Sequence, residues 1–189
     1  PIKVPISFQI QMAYNNINYF RSNYIFKGDL NPALNKEIEF FTKLKMSRPF
    51  RNSHKMVLSI GAAHHRDYYT QDKNINLSNF RYDVTQHNIL GASLKFTGNT
   101  FNTLQYPTSG HSETLVAQMF TANELYKPKN ELSSEWEPIP QSWLQLSGVI
   151  DGYNKLSSNV VLGHYFSAYY STKNLSTNYM ASIMQAGHF

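Results

Sequence analysis

Residues 110–114, Gly110-His111-Ser112-Glu113-Thr114, hold the types from which a nucleophile could be built. A serine hydrolase elbow has the form Gly-x-Ser-x-Gly, because both glycines permit the strained turn between strand and helix. Here Thr114 fills the last position, and Thr114–Phe120 reads as a strand with no helix after it. Asp151-Gly152 could offer the carboxylate of a Ser–Asp pair. Asp-Gly is also a favoured hairpin dipeptide, and the spacing predicts a short turn there. Ser112 is therefore expected to be a serine flanking a turn, with 107–110 forming the turn before an ascending strand.

Metal chemistry has no better footing. The seven histidines show no His-x-His or His-Glu-x-x-His spacing. His64 and His65 are adjacent, so on a strand they point to opposite faces and cannot share an ion. The chain has no cysteine, which removes disulfides, thiolate ligands and thiol nucleophiles together. No catalytic residue, metal ligand or cofactor is expected. The net charge of +5 is spread through the hairpins rather than gathered in a basic stripe, so nucleic acid is not an expected partner.

What remains is a scaffold with a period of two. Ile6, Phe8, Ile10, Met12 and Tyr14 alternate with Ser7, Gln9 and Gln11. Ile38, Phe40, Leu44 and Met46 alternate with Glu37, Glu39, Lys43 and Lys45, and Met56, Leu58, Ile60 and Ala62 with Lys55, Ser59 and Gly61. Each stretch predicts a strand with one oily and one wet face. About nine strands are expected, over 5–14, 18–27, 36–46, 55–65, 84–97, 99–106, 113–123, 141–151 and 156–171. Residues 47–53 and 151–156 read as short turns. Residues 27–36, 66–83, 124–140 and 171–189 read as long polar connections.

Globular strands average five or six residues. Longer ones, with short turns at one end and long loops at the other, suit an antiparallel meander forming a transmembrane β-barrel. No apolar run is long enough for a membrane helix, whereas barrel strands need be only half apolar. The expected fold is accordingly all-β, a single barrel domain over 1–189. Leu144, Leu146, Ile150, Val160, Leu162, Phe166 and Ala168 are expected to face lipid. Tyr68, Tyr69, Tyr106, Trp136, Trp143, Tyr153, Tyr169 and Tyr170 fall near predicted strand ends, where aromatic rings would sit at headgroup level.

Five stretches occur in an order that resembles one family: Asn18-Tyr-Phe-Arg-Ser22, Asp29-Leu-Asn-Pro32, Asp67-Tyr-Tyr69, Asn102–Gly110 and Ser171–Met180. Together they resemble the C-terminal membrane domain of Bacteroidetes patatin-like phospholipases, within the bacterial surface antigen superfamily of BamA-like barrels. The resemblance spans nearly the whole chain. It implies a segment of a sixteen-stranded outer-membrane barrel that anchors or translocates an attached patatin-like phospholipase and breaks no bond itself. It also implies outer-membrane lipids, the rest of the barrel or the attached hydrolase, and other outer-membrane proteins as partners. The patatin Gly-x-Ser-x-Gly and its Asp-Gly-Gly or Asp-Gly-Ala partner have no counterpart here.

Two other readings stay open at this level. A BamA-type insertase or translocation pore shares the fold and differs in its upstream domains. A soluble β-sandwich or lipocalin-like binder would have shorter strands and need no detergent.

Overall fold

In the computed structural model, residues 5–19, 35–51, 53–69, 82–103, 105–129 and 136–178 are described. They form seven strands: β1 (Ser7–Tyr19), β2 (Asn35–Arg51), β3 (His54–Tyr69), β4 (Asp83–Asn99), β5 (Gly110–Lys127), β6 (Ile139–Lys155) and β7 (Val161–Ser171). All seven lie in one sheet in sequence order, and each pairs antiparallel with the next. The expected all-β antiparallel meander is therefore present, with strands of 11 to 18 residues.

The strand count differs from nine for two reasons. Of the stretch expected at 18–27, the part beyond Tyr19 lies outside the described residues. The strand expected at 99–106 does not form, because its polar side chains capture their own backbone. The Phe101 amide donates to Asn99 Oδ1, the amides of Thr108 and Ser109 donate to Asn102 Oδ1, and the His111 amide donates to Thr100 Oγ1. Short Asn and Thr side chains compete with a ladder in this way. Residues 100–109 are thus the β4–β5 connection. It closes at Gly110, where φ is +101°, a conformation open to glycine and costly for residues with a Cβ.

The other corrections concern ends. β6 continues through Asp151 and Gly152 to Lys155, so the turn expected at 151–156 lies at 156–160 instead. It is closed by the amides of Leu156 and Ser157 donating to the Val160 carbonyl. The connections at one end of the sheet, 52–53, 100–109 and 156–160, are shorter than those at the other, 20–34, 70–82 and 128–138.

This sheet has no ordinary core. Among the described residues only Tyr69, Ala122 and Trp143 are buried hydrophobic side chains. Phe8, Ile10, Leu44, Leu58, Ile60, Leu94 and Met119 are all exposed, and the register puts them on one face. Ser47, Ser59, His65, Asp67, Thr85, His87, Ser93 and Glu124 are buried, and they share the other face. The polar face is thus the enclosed one, which inverts the arrangement of a water-soluble sheet.

Candidate membrane-facing band and polar cluster

The apolar face carries a band bounded on its central strands by two polar pairs. At one end His54 Nε2 lies 3.0 Å from Glu113 Oε1, across Gly98. At the other, His64 Nδ1 and Asn88 Oδ1 are 2.7 Å apart. Between them β3 presents Met56, Leu58, Ile60 and Ala62, and β4 presents Phe96, Leu94, Ala92 and Leu90.

The band does not run along the hydrogen-bonded rows; it slants across them. Each row can be numbered by the β3 residue it contains. The apolar stretch is then centred on row 61 in β1 (Phe8 to Tyr14) and row 62 in β2 (Met46 to Ile38). It is centred on row 59 in β3 (Met56 to Ala62) and β4 (Phe96 to Leu90), and on row 58 in β5 (Leu115 to Met119). The centre falls to row 57 in β6 (Ile150 to Leu144) and to row 54 in β7 (Leu162 to Tyr170). Thr42, Gly148 and His164 interrupt it, but from β1 to β7 the centre moves seven residues over six strand steps.

Of the seven positions expected to face lipid, Leu144, Leu146, Ile150, Leu162, Phe166 and Ala168 lie on this face. Val160 does not belong to a strand; it sits in the β6–β7 turn as the acceptor that closes it. The aromatics divide. Tyr68 and Tyr170 are on the apolar face, with the Lys36 ammonium 5.8 Å from the Tyr68 ring centroid. Tyr170 lies on row 58, opposite Leu146. Tyr106 is exposed in the 100–109 connection, and Trp136 is half-buried just before β6. Tyr69, Trp143, Tyr153 and Tyr169 are turned to the polar face, because they occupy the alternate positions of their strands. A ring on that side cannot contribute to a girdle on the apolar surface.

Trp143 is instead part of a stack. Its ring lies 5.2 Å from that of Phe120 at 22°, with the Lys173 ammonium 5.1 Å above it. Phe120 covers Gly91, where an added Cβ would come within 2.6 Å of the Phe120 ring. Gly91→Val is expected to cost about 1–3 kcal/mol by overpacking, read as a lower urea midpoint. Phe120→Leu in the same chain should recover part of the loss. An unchanged midpoint for Gly91→Val alone would mean that the ring is not held there.

The polar face is densest near the long connections. His65 Nε2 lies 2.7 Å from Asp67 Oδ1, and His87 Nε2 lies 3.9 Å from Glu124 Oε2. Tyr69 and Thr85 share a hydroxyl hydrogen bond of 2.6 Å. Residues 172–178, beyond β7, cross over this cluster. The Thr177 amide donates to Glu124 Oε1 at 2.7 Å, and Asn178 Nδ2 donates to the Tyr126 hydroxyl. Gln141 Nε2 donates to Glu124 Oε2. Burial pulls the Lys173 ammonium below the ordinary lysine range, while Glu124 and Asp67 push it back up.

Among the described residues, no three His, Asp or Glu side chains are arranged to hold a metal ion. His64 and His65 do face opposite ways, the first toward Asn88 and the second toward Asp67. Ser112 and Asp151 are opposite each other across β5 and β6, on the polar face. The neighbouring His111 points to the other face, against Thr100. None of the buried cluster was visible as a unit in the sequence. Its members stand on four strands, and only the register brings them together.

No family model, curated protein or solved structure matches the chain.

Proposed function

We propose that this chain is a section of an antiparallel transmembrane β-barrel of the outer membrane, non-catalytic in itself. Its work is to satisfy every backbone N–H and C=O through the ladder while presenting an apolar band to lipid.

The slant of the band carries this reading. At about 3.3–3.4 Å per residue and about 4.8 Å between strands, seven residues over six steps correspond to a tilt of about 40°. Barrel strands cross a bilayer tilted by about 35–45°. On β3 the boundary residues His54 and His64 are ten apart, about 34 Å along the strand and about 26 Å along the normal at that tilt. That matches the apolar band of about 25 Å that such barrels carry. A patch covered by another soluble protein has no reason to follow this angle. β1 and β7 have one unpaired edge each among the described residues, and closure by further strands would satisfy them in lipid. A barrel of sixteen strands is what the family resemblance implies.

The attached activity follows from that resemblance: the barrel anchors or translocates a patatin-like phospholipase domain. A patatin domain encoded upstream would support this, whereas repeated periplasmic modules would instead mark an insertase. The membrane reading has a direct test. Washed outer membranes should retain the protein through carbonate and urea and release it only with detergent. Release by urea alone would sink the proposal.

A further inference from the structure

The polar face holds a second cluster, of one sign only. Lys43, Lys45, Lys55 and Lys95 line a cleft of about 480 Å³ on β2, β3 and β4. The sequence suggests scattered cations, because these four are far apart along the chain. The register gathers them: they occupy rows 61, 59, 55 and 57, all on the polar side. No Asp or Glu stands on that side in rows 55 to 61 of any of the seven strands. The nearest carboxylates in register are Glu39 on row 65 and Asp151 on row 53, the latter three strands away from Lys55. None of the four lysines has an ion-pair partner among the described residues.

Hydroxyl side chains also line the cleft. Ser59 and Ser93 are buried, line the cleft and share the polar side with the lysines. Ammonium groups bind phosphate as point charges, and hydroxyls donate to the remaining oxyanion oxygens. Rings of lysine on a pore wall select anions in the same way.

We infer that Lys43, Lys45, Lys55 and Lys95 form a binding site for a multiply charged phosphate-type anion that arrives in solution. Depth argues for the soluble source over a lipid headgroup, and this one step rests on the membrane reading. Lys43 lies on row 61, one residue from the centre of the apolar band on its own strand β2, with the sheet between it and the lipid. Headgroups gather at the ends of such a band, not at its middle.

The test is a titration of the purified protein in uncharged maltoside detergent with inorganic pyrophosphate, followed by calorimetry. Saturable binding is expected. Lys43→Gln with Lys45→Gln and Lys95→Gln should weaken it by at least about tenfold. The matched control, Lys36→Gln with Lys127→Gln and Lys155→Gln, should leave it within about twofold. Single Lys45→Gln and Lys95→Gln variants serve if the triple variant fails to fold, each with a several-fold loss. No binding, or equal loss in patch and control variants, would overturn the site. A second arm adds phosphatidylglycerol to the micelles, and competition with pyrophosphate would overturn the soluble source. The extraction result stands apart from both arms, so failure of the membrane reading and failure of the site are read separately.

Discussion

Leu94→Arg should lower the stability of the protein folded in phospholipid vesicles by about 2–4 kcal/mol, and Leu162→Arg by about 0–1 kcal/mol. Both residues are exposed leucines on the same face, so a soluble protein would treat them nearly alike. They differ in depth. Leu94 lies on row 58, within one residue of the band centre on β4. Leu162 lies on row 50, four residues from the centre on β7 and next to the β6–β7 turn. An arginine at the midplane must be hydrated through the bilayer or pull the strand out of place, whereas one at the rim reaches the headgroups by extending its own side chain.

The comparison also separates a slanted band from one that follows the hydrogen-bonded rows. Phe166 lies on row 54, the centre for β7, yet that row holds the polar His54–Glu113 pair on β3 and β5. If the membrane plane cuts the rows at about 40°, Phe166→Arg should be nearly as costly as Leu94→Arg. If it follows the rows, Phe166→Arg should be nearly free. Urea titration of the vesicle-folded protein, read by the electrophoretic shift of the folded form, measures all three. Equal small effects at Leu94, Phe166 and Leu162 would sink the membrane assignment.

Alternation is a local property, and it located most of what the ladder uses. The faces of β2, β3, β5 and β6 follow directly from Phe40–Met46, Met56–Ala62, Leu115–Met119 and Leu144–Ile150. The loop at 100–109 was not legible as a loop, because Phe101, Thr103 and Tyr106 have strand propensity. The competing bonds from Asn99, Thr100 and Asn102 to the backbone decide the matter. Four of the eight aromatic positions, Tyr69, Trp143, Tyr153 and Tyr169, face the polar side for another reason. Closeness to a predicted strand end gives depth but not side, and an error of one residue moves a ring across the sheet. Tyr69 and Trp143 are on the enclosed face for this reason. The two polar clusters depend on register across three or four strands. Charges that look dispersed in sequence, such as Lys43, Lys55 and Lys95, meet only there.

Glu124→Ala is expected to cost about 3–5 kcal/mol and to release residues 172–178 from the polar face. The carboxylate is wholly buried and accepts from the Gln141 amide and the Thr177 backbone N–H, with the Lys173 ammonium near it. Alanine leaves both donors and the cation without their acceptor in an enclosed site, which costs more than the bonds themselves contribute. Glu124→Gln keeps one oxygen for Thr177 but sets an amide N–H₂ or a neutral oxygen where the charge stood, so about half the loss is expected. Hydrogen exchange should localise the effect: the Thr177 amide loses its protection while the β3–β4 ladder keeps its own. The pH dependence has a definite sign. The folded Lys173 sits below its unfolded value of 10.5, so the unfolded chain binds more protons between the two values and stability rises with pH across that window. Glu124 is the first of the groups that raise Lys173, so its removal pulls the folded value lower still and starts the rise at a lower pH. Unchanged protection at Thr177 in Glu124→Ala would show that the segment is held by something other than this carboxylate.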